Sequence, residues 1–370
     1  MNGVSDKDRE RLSAFAKMLV DQERALPLVP PHENREGYWF GGGNLSVGPD
    51  GSFYLVGRYR DAGDSRSGLG GGPRGVELAV FRSRDRASRF ERVASFSKRD
   101  LGYGAREVLS IEGAKLLFAD GGVELFVSSE KTGIPYPAGL EPFQKPGTGV
   151  WSIDHLCAPT VEGLAGARVE PLIEGADPRW LHVKDPVVRR TEGGGTLLYF
   201  CTHPFNWSSA NTGMALRPAG GNGFGPPDFE RFPRGCTWDV AAARVTGFCP
   251  VPALGAFARR PALQLVFYDG AESMRRETEH PAAVHRPRGY SCEELGGVAV
   301  TDGGLRGPLE RLSTLLPFFV SPHGTGCSRY VDVLDTPDSY YCTWQQSQPD
   351  LSQPLVLNVV SREAAAGVLA

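Results

Sequence analysis

Hydrophobic and polar positions alternate in two ways along the chain, and the difference separates a short N-terminal segment from everything that follows. In residues 5–23, apolar positions such as Leu12 and Leu19 recur at the spacing of one helical face. Ser5 is a good helix N-cap, and Asp8 occupies the third helical position, where a carboxylate favours the N-terminus. This pattern predicts a surface helix packed on the body of the protein.

The remainder of the chain consists of short strand-like runs separated by Gly, Pro and Asp. Five strongly apolar and aromatic runs begin about 70 residues apart, and a second run of similar character follows each of them. The first set begins at residues 53, 124, 196, 263 and 339. The second set begins at residues 74, 148, 212, 296 and 354. Two runs in the same order in every period indicate a repeat.

Each period also has a run ahead of the strong strand, and four periods have a closing run. The preceding runs begin at residues 42, 109, 183, 237 and 328, and the closing runs at 89, 167, 229 and 309. The fifth closing run is missing, but ALPLVP at Ala25 resembles VEPLIEG at Val169. The N-terminal strand therefore completes the last unit and closes the ring, which removes exposed sheet edges.

Four strands in each of five periods predict an all-β protein, a single five-bladed β-propeller with a short N-terminal helix. Residues 1–24 form the helix packed on the body, and residues 25–370 form the propeller closed by the N-terminal strand. The 47 Gly and 29 Pro fit the many tight turns of such a fold. The alternative, a β-sandwich with a separate second domain, does not predict this regular order.

Charge and composition then narrow the function classes. Lys and Arg total 40 against 43 Asp and Glu, so a net charge of −3 offers no broad cationic surface, and we expect no nucleic acid partner. No apolar run approaches the roughly 20 residues that cross a bilayer, and no secretory signal pattern is present. We therefore expect no membrane partner and a cytoplasmic protein. The seven cysteines contain no CxxC pair, which favours reduced, buried thiols.

Residues near the starts of the innermost strands of a propeller converge on one mouth of the central channel. Aligning the periods, with residues 244–260 taken as an insertion in the fourth, places five positions together: Asn44, Glu112, Asp185, Asp239 and Ser328 or Arg329. Three of them are carboxylates. Neighbouring carboxylates can divide the acid and base roles of glycoside hydrolysis. The alternative is that each one satisfies backbone amides or arginines.

Two short motifs on this frame resemble known enzymes. Lys184-Asp185-Pro186 resembles an Arg-Asp-Pro element whose Asp stabilises the transition state, and also an Asp-Pro found on inner strands. His323-Gly324, ahead of the last inner strand, is similar to an axial His-Gly that sits near a central ion or water. The chain after its first helix thus resembles the five-bladed propeller glycosidases, the group of arabinanases, β-xylosidases, invertases and levansucrases.

The resemblance implies an enzyme that cleaves or transfers a glycosyl unit of a small oligosaccharide or glycoside at the axial pocket. It implies no required cofactor, with a structural ion near His323 as an option. That family usually has an Asp base where this chain has Asn44, so the roles would be redistributed. Glu112 would then be the general acid, Asp239 the base or nucleophile, and Asp185 the residue that orients the sugar and tunes the acid. The alternative is a propeller that binds a small carbohydrate or other ligand without catalysis.

Further side chains extend this prediction to the substrate. A pair of arginines, Arg58 and Arg60, can clamp a carboxylate or phosphate, although such residues are more often solvated. Trp238 adjoins Asp239 and can stack on a sugar, with packing between blades as the alternative. Residues 269–294 are long enough to form a lid. The predicted substrate-binding residues are Asn44, Arg58, Trp238, Tyr290, Glu294, His323 and Arg329.

Overall fold

The computed structural model describes residues 4–61, 74–119, 121–144, 146–272 and 294–370. Its strands form five four-stranded sheets, and neighbouring strands within each sheet are antiparallel. The sheets are the five blades of a propeller, which confirms the predicted fold. In each blade the first strand lies at the axis and the last at the periphery.

The blades follow one another along the chain. Blade one comprises β2 (Trp39–Val47), β3 (Phe53–Arg60), β4 (Glu77–Ser83) and β5 (Glu91–Ser97). Blade two comprises β6 (Val108–Ala119), β7 (Gly122–Lys131), β8 (Val150–Ala158) and β9 (Glu170–Ile173). Blade three comprises β10 (His182–Arg190), β11 (Thr196–His203), β12 (Asn211–Arg217) and β13 (Asp228–Phe232). Blade four comprises β14 (Ala242–Pro250), β15 (Leu263–Ala271), β16 (Leu295–Asp302) and β17 (Glu310–Arg311). Blade five comprises β18 (Ser328–Asp335), β19 (Ser339–Gln346), β20 (Leu355–Ser361) and the N-terminal β1 (Leu26–Val29).

The ring is closed by the N-terminal strand, as the sequence predicts. In the pairing of β1 with β20, Leu26 lies opposite Leu357 and Pro27 opposite Val356. The last blade therefore combines the two ends of the chain. Closure of this kind ties the first and last blades together and covers an edge that would otherwise be open to pairing.

Two helices pack on the closing blade. The predicted helix is present as α1 (Asp6–Leu19), and the N–H of Asp8 donates to Ser5 Oγ at 3.2 Å, which is the expected cap. The sequence pattern did not predict α2 (Arg362–Leu369), which packs beside α1 and contributes to the same apolar cluster. In the described part of the chain, no helix has the length and apolar character needed to span a bilayer.

Apolar side chains fill the spaces between neighbouring blades. β3 and β11 are buried at every position, because both faces of each sheet pack against adjacent blades. Aromatic pairs bridge these interfaces: the rings of Phe53 and Tyr341 join blades one and five at 4.9 Å, and those of Tyr199 and Phe248 join blades three and four at 5.0 Å. The inner strands are thereby held in fixed positions around the axis.

The inner strands share a bulge close to their starts, where the pairing with the second strand is interrupted. In four blades the interruption spans two residues: Gly42 and Gly43, Glu112 and Gly113, Asp185 and Pro186, and Tyr330 and Val331. In blade four it is shorter and lies at Thr246. A bulge re-aims side chains at a strand end, so these positions set which groups meet at the axis.

Blade four differs from the alignment expected from sequence. The inner strand is Ala242–Pro250, so residues 244–250, expected to belong to an insertion ahead of the next strand, are part of the inner strand, and that expectation was wrong. The extra length follows the strand, in residues 251–262, before β15 begins. The apolar residues around Asp239 resemble a strand start, but they belong to the approach to β14. This shift changes which residue blade four contributes at the axis.

Candidate active site at the channel mouth

We call the mouth the end of the channel at which all five inner strands begin. Asp185 lies in its third-blade bulge with a φ of 55°, a left-handed conformation that is uncommon for a residue with a side chain. Its N–H donates to Ser128 Oγ at 3.0 Å, and its Oδ1 accepts from the N–H of Gly113 at 3.0 Å. A Cβ at Gly113 would stand only 2.7 Å from that oxygen. Blade two thus holds the carboxylate in one orientation.

Two cations neutralise Asp185. Arg244 Nη1 donates to its Oδ2 at 2.8 Å, and Lys184 Nζ lies 3.7 Å from the same oxygen. Burial alone would raise the pKa of Asp185, but the charges of Lys184 and Arg244 outweigh it and lower the pKa. Asp185 is therefore ionised at neutral pH.

Glu112 occupies the equivalent bulge of blade two. Its Oε1 accepts from Ser110 Oγ at 2.8 Å, and its Oε2 lies 3.6 Å from Arg58 Nη2. Burial again opposes ionisation, but the charges of Lys184 and two arginines lower the pKa of Glu112 to about 2. This carboxylate is ionised across the physiological range.

Tyr330 connects the two carboxylates. Its hydroxyl donates to Asp185 Oδ1 at 3.4 Å and accepts from Arg58 Nη2 at 3.5 Å, and Arg58 lies beside Glu112. Like Asp185, Tyr330 has a left-handed backbone, with a φ of 59°, in the bulge of its blade. Blades one, two, three and five therefore contribute to one connected cluster that contains both carboxylates.

Blade four adds Arg244 and a second pair of carboxyl groups. Arg244 Nη2 lies 2.7 Å from Asp269 Oδ2 and 2.8 Å from Glu294 Oε2, and Glu294 also binds Arg329. Burial raises the pKa of Asp269 despite the neighbouring guanidinium. Glu294 behaves oppositely: its burial is outweighed by Arg244 and Arg329, which hold its pKa well below the usual value. The two carboxyl groups thus differ in their hold on a proton.

Glu130 is another carboxyl group with a raised pKa. It lies near the end of β7 directly opposite Ser110, so both side chains project from the same face of blade two. Its Oε1 accepts from the N–H of Gly149 at 2.7 Å, and its Oε2 lies 2.8 Å from Arg74 Nη2. Burial raises the pKa of Glu130 to about 7, against the charge of Arg74. A proton can therefore be held here near neutral pH.

Aromatic faces flank the charged cluster. The ring of Trp39, at the start of β2, has the Cζ atoms of Arg60 and Arg329 each 4.5 Å from its centre. On the other side, Lys184 Nζ lies 5.8 Å from the ring centre of Trp207. Both tryptophans are half-buried. They offer amphipathic surfaces of the type that bind ligands with both apolar and polar faces.

A small cavity of about 10 Å³ lies just inside the mouth, enough for about one water molecule. Its lining includes Gly42, Gly113, Lys115, Asp185, Arg244 and Tyr330. It marks the boundary between the mouth and the interior of the channel.

The structure brings together five of the residues predicted from sequence. They are Arg58, Glu112, Asp185, Glu294 and Arg329, joined through the contacts of Arg244 and Tyr330 described above. These residues lie close together because all five inner strands begin at the mouth and the neighbouring strands have their ends there.

Asp239 and Trp238 do not join this cluster, because the inner strand of blade four begins after them. Asp239 Oδ2 accepts from Arg311 Nε on the outermost strand at 2.7 Å and lies 3.3 Å from the hydroxyl of Tyr268. Trp238 is buried and stacks on Tyr268, while its Nε1 donates to the backbone oxygen of Ser313 at 3.0 Å. Both residues serve packing within blade four.

Asn44 and His323 also lie outside the cluster. Asn44 is two residues past the bulge position, and its amide makes reciprocal hydrogen bonds with the backbone of Leu116 at 3.0 and 2.8 Å, which joins blades one and two. The blade-one equivalent of Glu112 and Asp185 is therefore Gly42. His323 is exposed in the loop before β18. Tyr290 lies outside the described residues.

The sequence interpretation missed three residues of the cluster: Arg244, Asp269 and Tyr330. Arg244 was concealed by the misplaced inner strand of blade four. The available signal was the strand-like run AARVTGFCP, which matches β14. No feature of the sequence indicates a role at the site for Asp269 or Tyr330, because polar residues near the ends of apolar strands occur for many structural reasons.

Among the described residues, one group of side chains has the composition of a metal site, and it lies away from the mouth. Glu124, on β7, and His155 and Cys157, on β8, stand on the two middle strands of blade two, with His155 Nε2 at 2.8 Å from Glu124 Oε2. Arg217 donates to the other oxygen of Glu124 at 2.8 Å. The group is thus already tied into an ion pair at the opposite end of the blade.

No known protein family and no curated protein matches the chain by sequence. Among solved structures it is similar to the GH43_1 enzyme from Xanthomonas citri complexed with xylotriose, with a TM-score of 0.54 and 13% identity over 94% of this chain and 92% of that one. It is also similar to the endo-arabinase from Bacteroides thetaiotaomicron, with a TM-score of 0.51 and 12% identity over 91% and 97% of the two chains.

A third similar structure is the α-L-arabinofuranosidase from Podospora anserina in complex with cellotriose, with a TM-score of 0.54 and 12% identity over 92% of this chain and 96% of that one. The similarity extends over nearly the whole of each chain. It shows that the protein has the five-bladed propeller fold found in these glycoside hydrolases.

Proposed function

We propose that the protein is a glycoside hydrolase-like enzyme that cleaves or transfers a glycosyl unit of a small oligosaccharide or glycoside at the mouth. The observation that carries the proposal is the pairing of Glu112 and Asp185. They stand at equivalent bulges of adjacent blades and are connected through Arg58 and Tyr330. Two carboxyl groups flanking one bond are the machinery of most glycoside hydrolases, and the similar solved structures have such activities in their descriptions.

The pKa values of the carboxyl groups favour catalytic roles that differ from those expected from the sequence. Glu112, with its pKa lowered to about 2, is suited to an ionised role, as base, nucleophile or stabiliser of a developing positive charge on the sugar. Asp185 is also ionised and is held by Gly113 and Arg244, which suits orientation of the sugar. A proton donor needs a raised pKa, and Glu130 has one near 7. Glu130 also lies opposite Ser110, whose hydroxyl donates to Glu112 at 2.8 Å, and on these two grounds we assign Glu130 as the general acid.

One observation favours a second candidate, a propeller that binds a carbohydrate without cleaving it. Blade one has Gly42 where blades two and three have Glu112 and Asp185. The inner-strand bulges of blades one to three therefore supply two carboxylates instead of three. A site with fewer ionised groups can retain binding while losing turnover.

The experiment that separates the two candidates measures turnover and binding on the same preparation. The full chain is incubated with 4-nitrophenyl xyloside, arabinofuranoside and glucuronide and with xylotriose, and products are followed by absorbance and chromatography. Calorimetry with the same sugars measures binding. Release of product supports the enzyme. Binding without product over long incubation supports the second candidate, and neither binding nor product contradicts both.

A further inference from the structure

The first-blade bulge places a glycine beside a buried guanidinium. Gly42 has a φ of 71°, and a Cβ built on it would stand 3.7 Å from Arg58 Cζ and 3.8 Å from Arg58 Nε, in ordinary contact. In blades two and three the equivalent positions carry the carboxylates of Glu112 and Asp185. A carboxylate at the first-blade position would therefore lie against Arg58, and the residues that the structure describes provide none there.

Arg58 is incompletely satisfied by the described residues. Its side chain is only 3% exposed. Nη2 makes long contacts, 3.5 Å to Tyr330 Oη and 3.6 Å to Glu112 Oε2, while Nε and Nη1 have no hydrogen-bond partner in that part of the chain. A buried donor without a partner costs free energy, and more so when it is charged. The guanidinium is therefore poised to accept an anionic partner from outside the protein.

The position of Arg58 is fixed by its surroundings. It lies in β3, which is buried along its whole length and paired on both sides with β2 and β4. Its Cζ also lies 5.6 Å from the centre of the Tyr330 ring. An arginine held in this way loses little conformational entropy on binding, which favours affinity.

The charge of the mouth also favours an anion. Besides Arg60, five cationic side chains meet five carboxyl groups among the residues that the structure describes there. The cations are Arg58, Arg74, Lys184, Arg244 and Arg329, and the carboxyl groups are Glu112, Glu130, Asp185, Asp269 and Glu294. Burial raises the pKa of Glu130 and of Asp269, so the cations are in excess. A neutral sugar would leave this excess uncompensated.

A singly charged carboxylate suits the mouth better than a phosphate. Glu112 and Asp185 are ionised and close to Arg58. They would repel a dianion about twice as strongly as a monoanion. A planar carboxylate also matches the planar guanidinium in geometry.

We propose that the mouth recognises a sugar that carries a carboxylate, of the uronic acid class, and that this carboxylate binds Arg58 beside Gly42. The inference rests on the proposed site but not on catalysis. This substrate class is favoured by Gly42 together with Arg58 Nε and Nη1, which have no hydrogen-bond partner among the described residues. The sugar supplies the anion that blade one lacks.

Calorimetry on the full chain tests the proposal with glucuronate and galacturonate, the neutral sugars glucose and galactose, and glucose 6-phosphate. We expect the uronates to bind at least tenfold more tightly than the neutral sugars and more tightly than the phosphate. The Arg58→Met variant should lose about 10- to 100-fold in uronate affinity, the range for a charged hydrogen bond. The matched control, Arg217→Met, removes a half-buried arginine at the opposite end of blade three and should bind like the wild type.

Gly42→Asp provides a second test that does not depend on the stability of the Arg58 variant. Asp tolerates a left-handed backbone better than most residues, and its carboxylate would pair with Arg58. It should lower uronate affinity at least tenfold in a variant that circular dichroism shows to be folded. Equal binding of uronates and neutral sugars, tighter binding of the phosphate, or unchanged uronate affinity in both variants would overturn the proposal.

These outcomes are distinguishable from the fate of the proposed enzyme. Uronate binding without turnover of any glycoside would sustain this inference and refute catalysis. Turnover of neutral glycosides without preferential uronate binding would do the reverse.

Discussion

The mouth and the interior of the channel are both lined by buried charges, but only the interior has its charges fully paired. In the interior, Lys115 Nζ donates to Asp332 Oδ1 at 3.0 Å and to the backbone oxygen of Gly43 at 2.8 Å. Arg189 reaches the same carboxylate at 3.2 Å, and the N–H of Leu45 donates to its other oxygen at 3.3 Å. At the mouth, by contrast, Arg58 has two nitrogen groups without a partner among the described residues.

The contrast separates structural charges from charges that await a ligand. The interior pair binds blades one, two, three and five together, and burial has been compensated at each polar atom named above. The mouth retains a positive excess and carboxyl groups with raised pKa values, Glu130 and Asp269. Perturbed groups of this kind concentrate at functional sites. If the two regions divide stability and function in this way, substitutions in the interior should affect stability and substitutions at the mouth should affect turnover.

The largest expected effect is a loss of stability when a charged residue in the interior of the channel is replaced. Lys115→Met should lower the free energy of unfolding by about 3–5 kcal/mol, because it leaves the buried Asp332 carboxylate short of a partner. Urea denaturation followed by tryptophan fluorescence measures the change. The control Glu91→Gln removes one partner of an exposed ion pair with Arg82 and should cost less than about 1 kcal/mol. Similar losses in the two variants would show that the interior pair is not a special structural element.

The next effect is expected at Glu130. Glu130→Gln should lower the turnover of an aryl glycoside by about 100-fold or more, because the variant cannot deliver a proton. Glu124→Gln is the matched control, since Glu124 lies on the same strand at the opposite end and should leave turnover within about twofold. Equal losses in both variants would place the proton donor elsewhere.

The pH dependence of kcat/KM is expected to show a smaller effect, which changes gradually with pH. The raised pKa of Glu130 means that its protonated form predominates below about pH 7 and is lost above it. The pKa of Glu112 is lowered to about 2, so this carboxylate stays ionised over the acid range normally measured and causes no loss of kcat/KM there. The kcat/KM should therefore be flat from about pH 5 to 6.5 and fall about tenfold per pH unit above 7. A profile that rises through pH 7 would contradict the assignment of Glu130.

Most of the fold was predictable from sequence, because a repeat of apolar strands displays the blade order directly. The closing strand at Leu26 was also visible, through its likeness to the fourth strand of blade two. The site was predictable only in part. Glu112 and Asp185 were located by their phase in the repeat, whereas blade four was misaligned because its approach segment imitates a strand start. Tyr330 and Asp269 gain their roles from contacts between blades, which no single period encodes.

The smallest effect is expected at the residue that this misalignment selected. Asp239→Asn should leave turnover within about twofold, because its carboxylate pairs with Arg311 on the outermost strand rather than with the mouth. The same variant should lose about 1–3 kcal/mol of stability, since the buried carboxylate also meets Tyr268. Turnover assays and urea denaturation on one preparation measure both. A large loss of activity with unchanged stability would show that Asp239 belongs to the active site.

The central claim is that the mouth carboxylates act on a glycoside, and the rate of aryl glycoside hydrolysis by Glu112→Gln tests it most directly. Glutamine keeps the shape of the side chain and removes its charge, so folding, checked by circular dichroism and melting temperature, should be retained. The account predicts a rate at least 100-fold below that of the wild type on the best substrate of the panel. A folded Glu112→Gln protein that hydrolyses that substrate at the wild-type rate would contradict it.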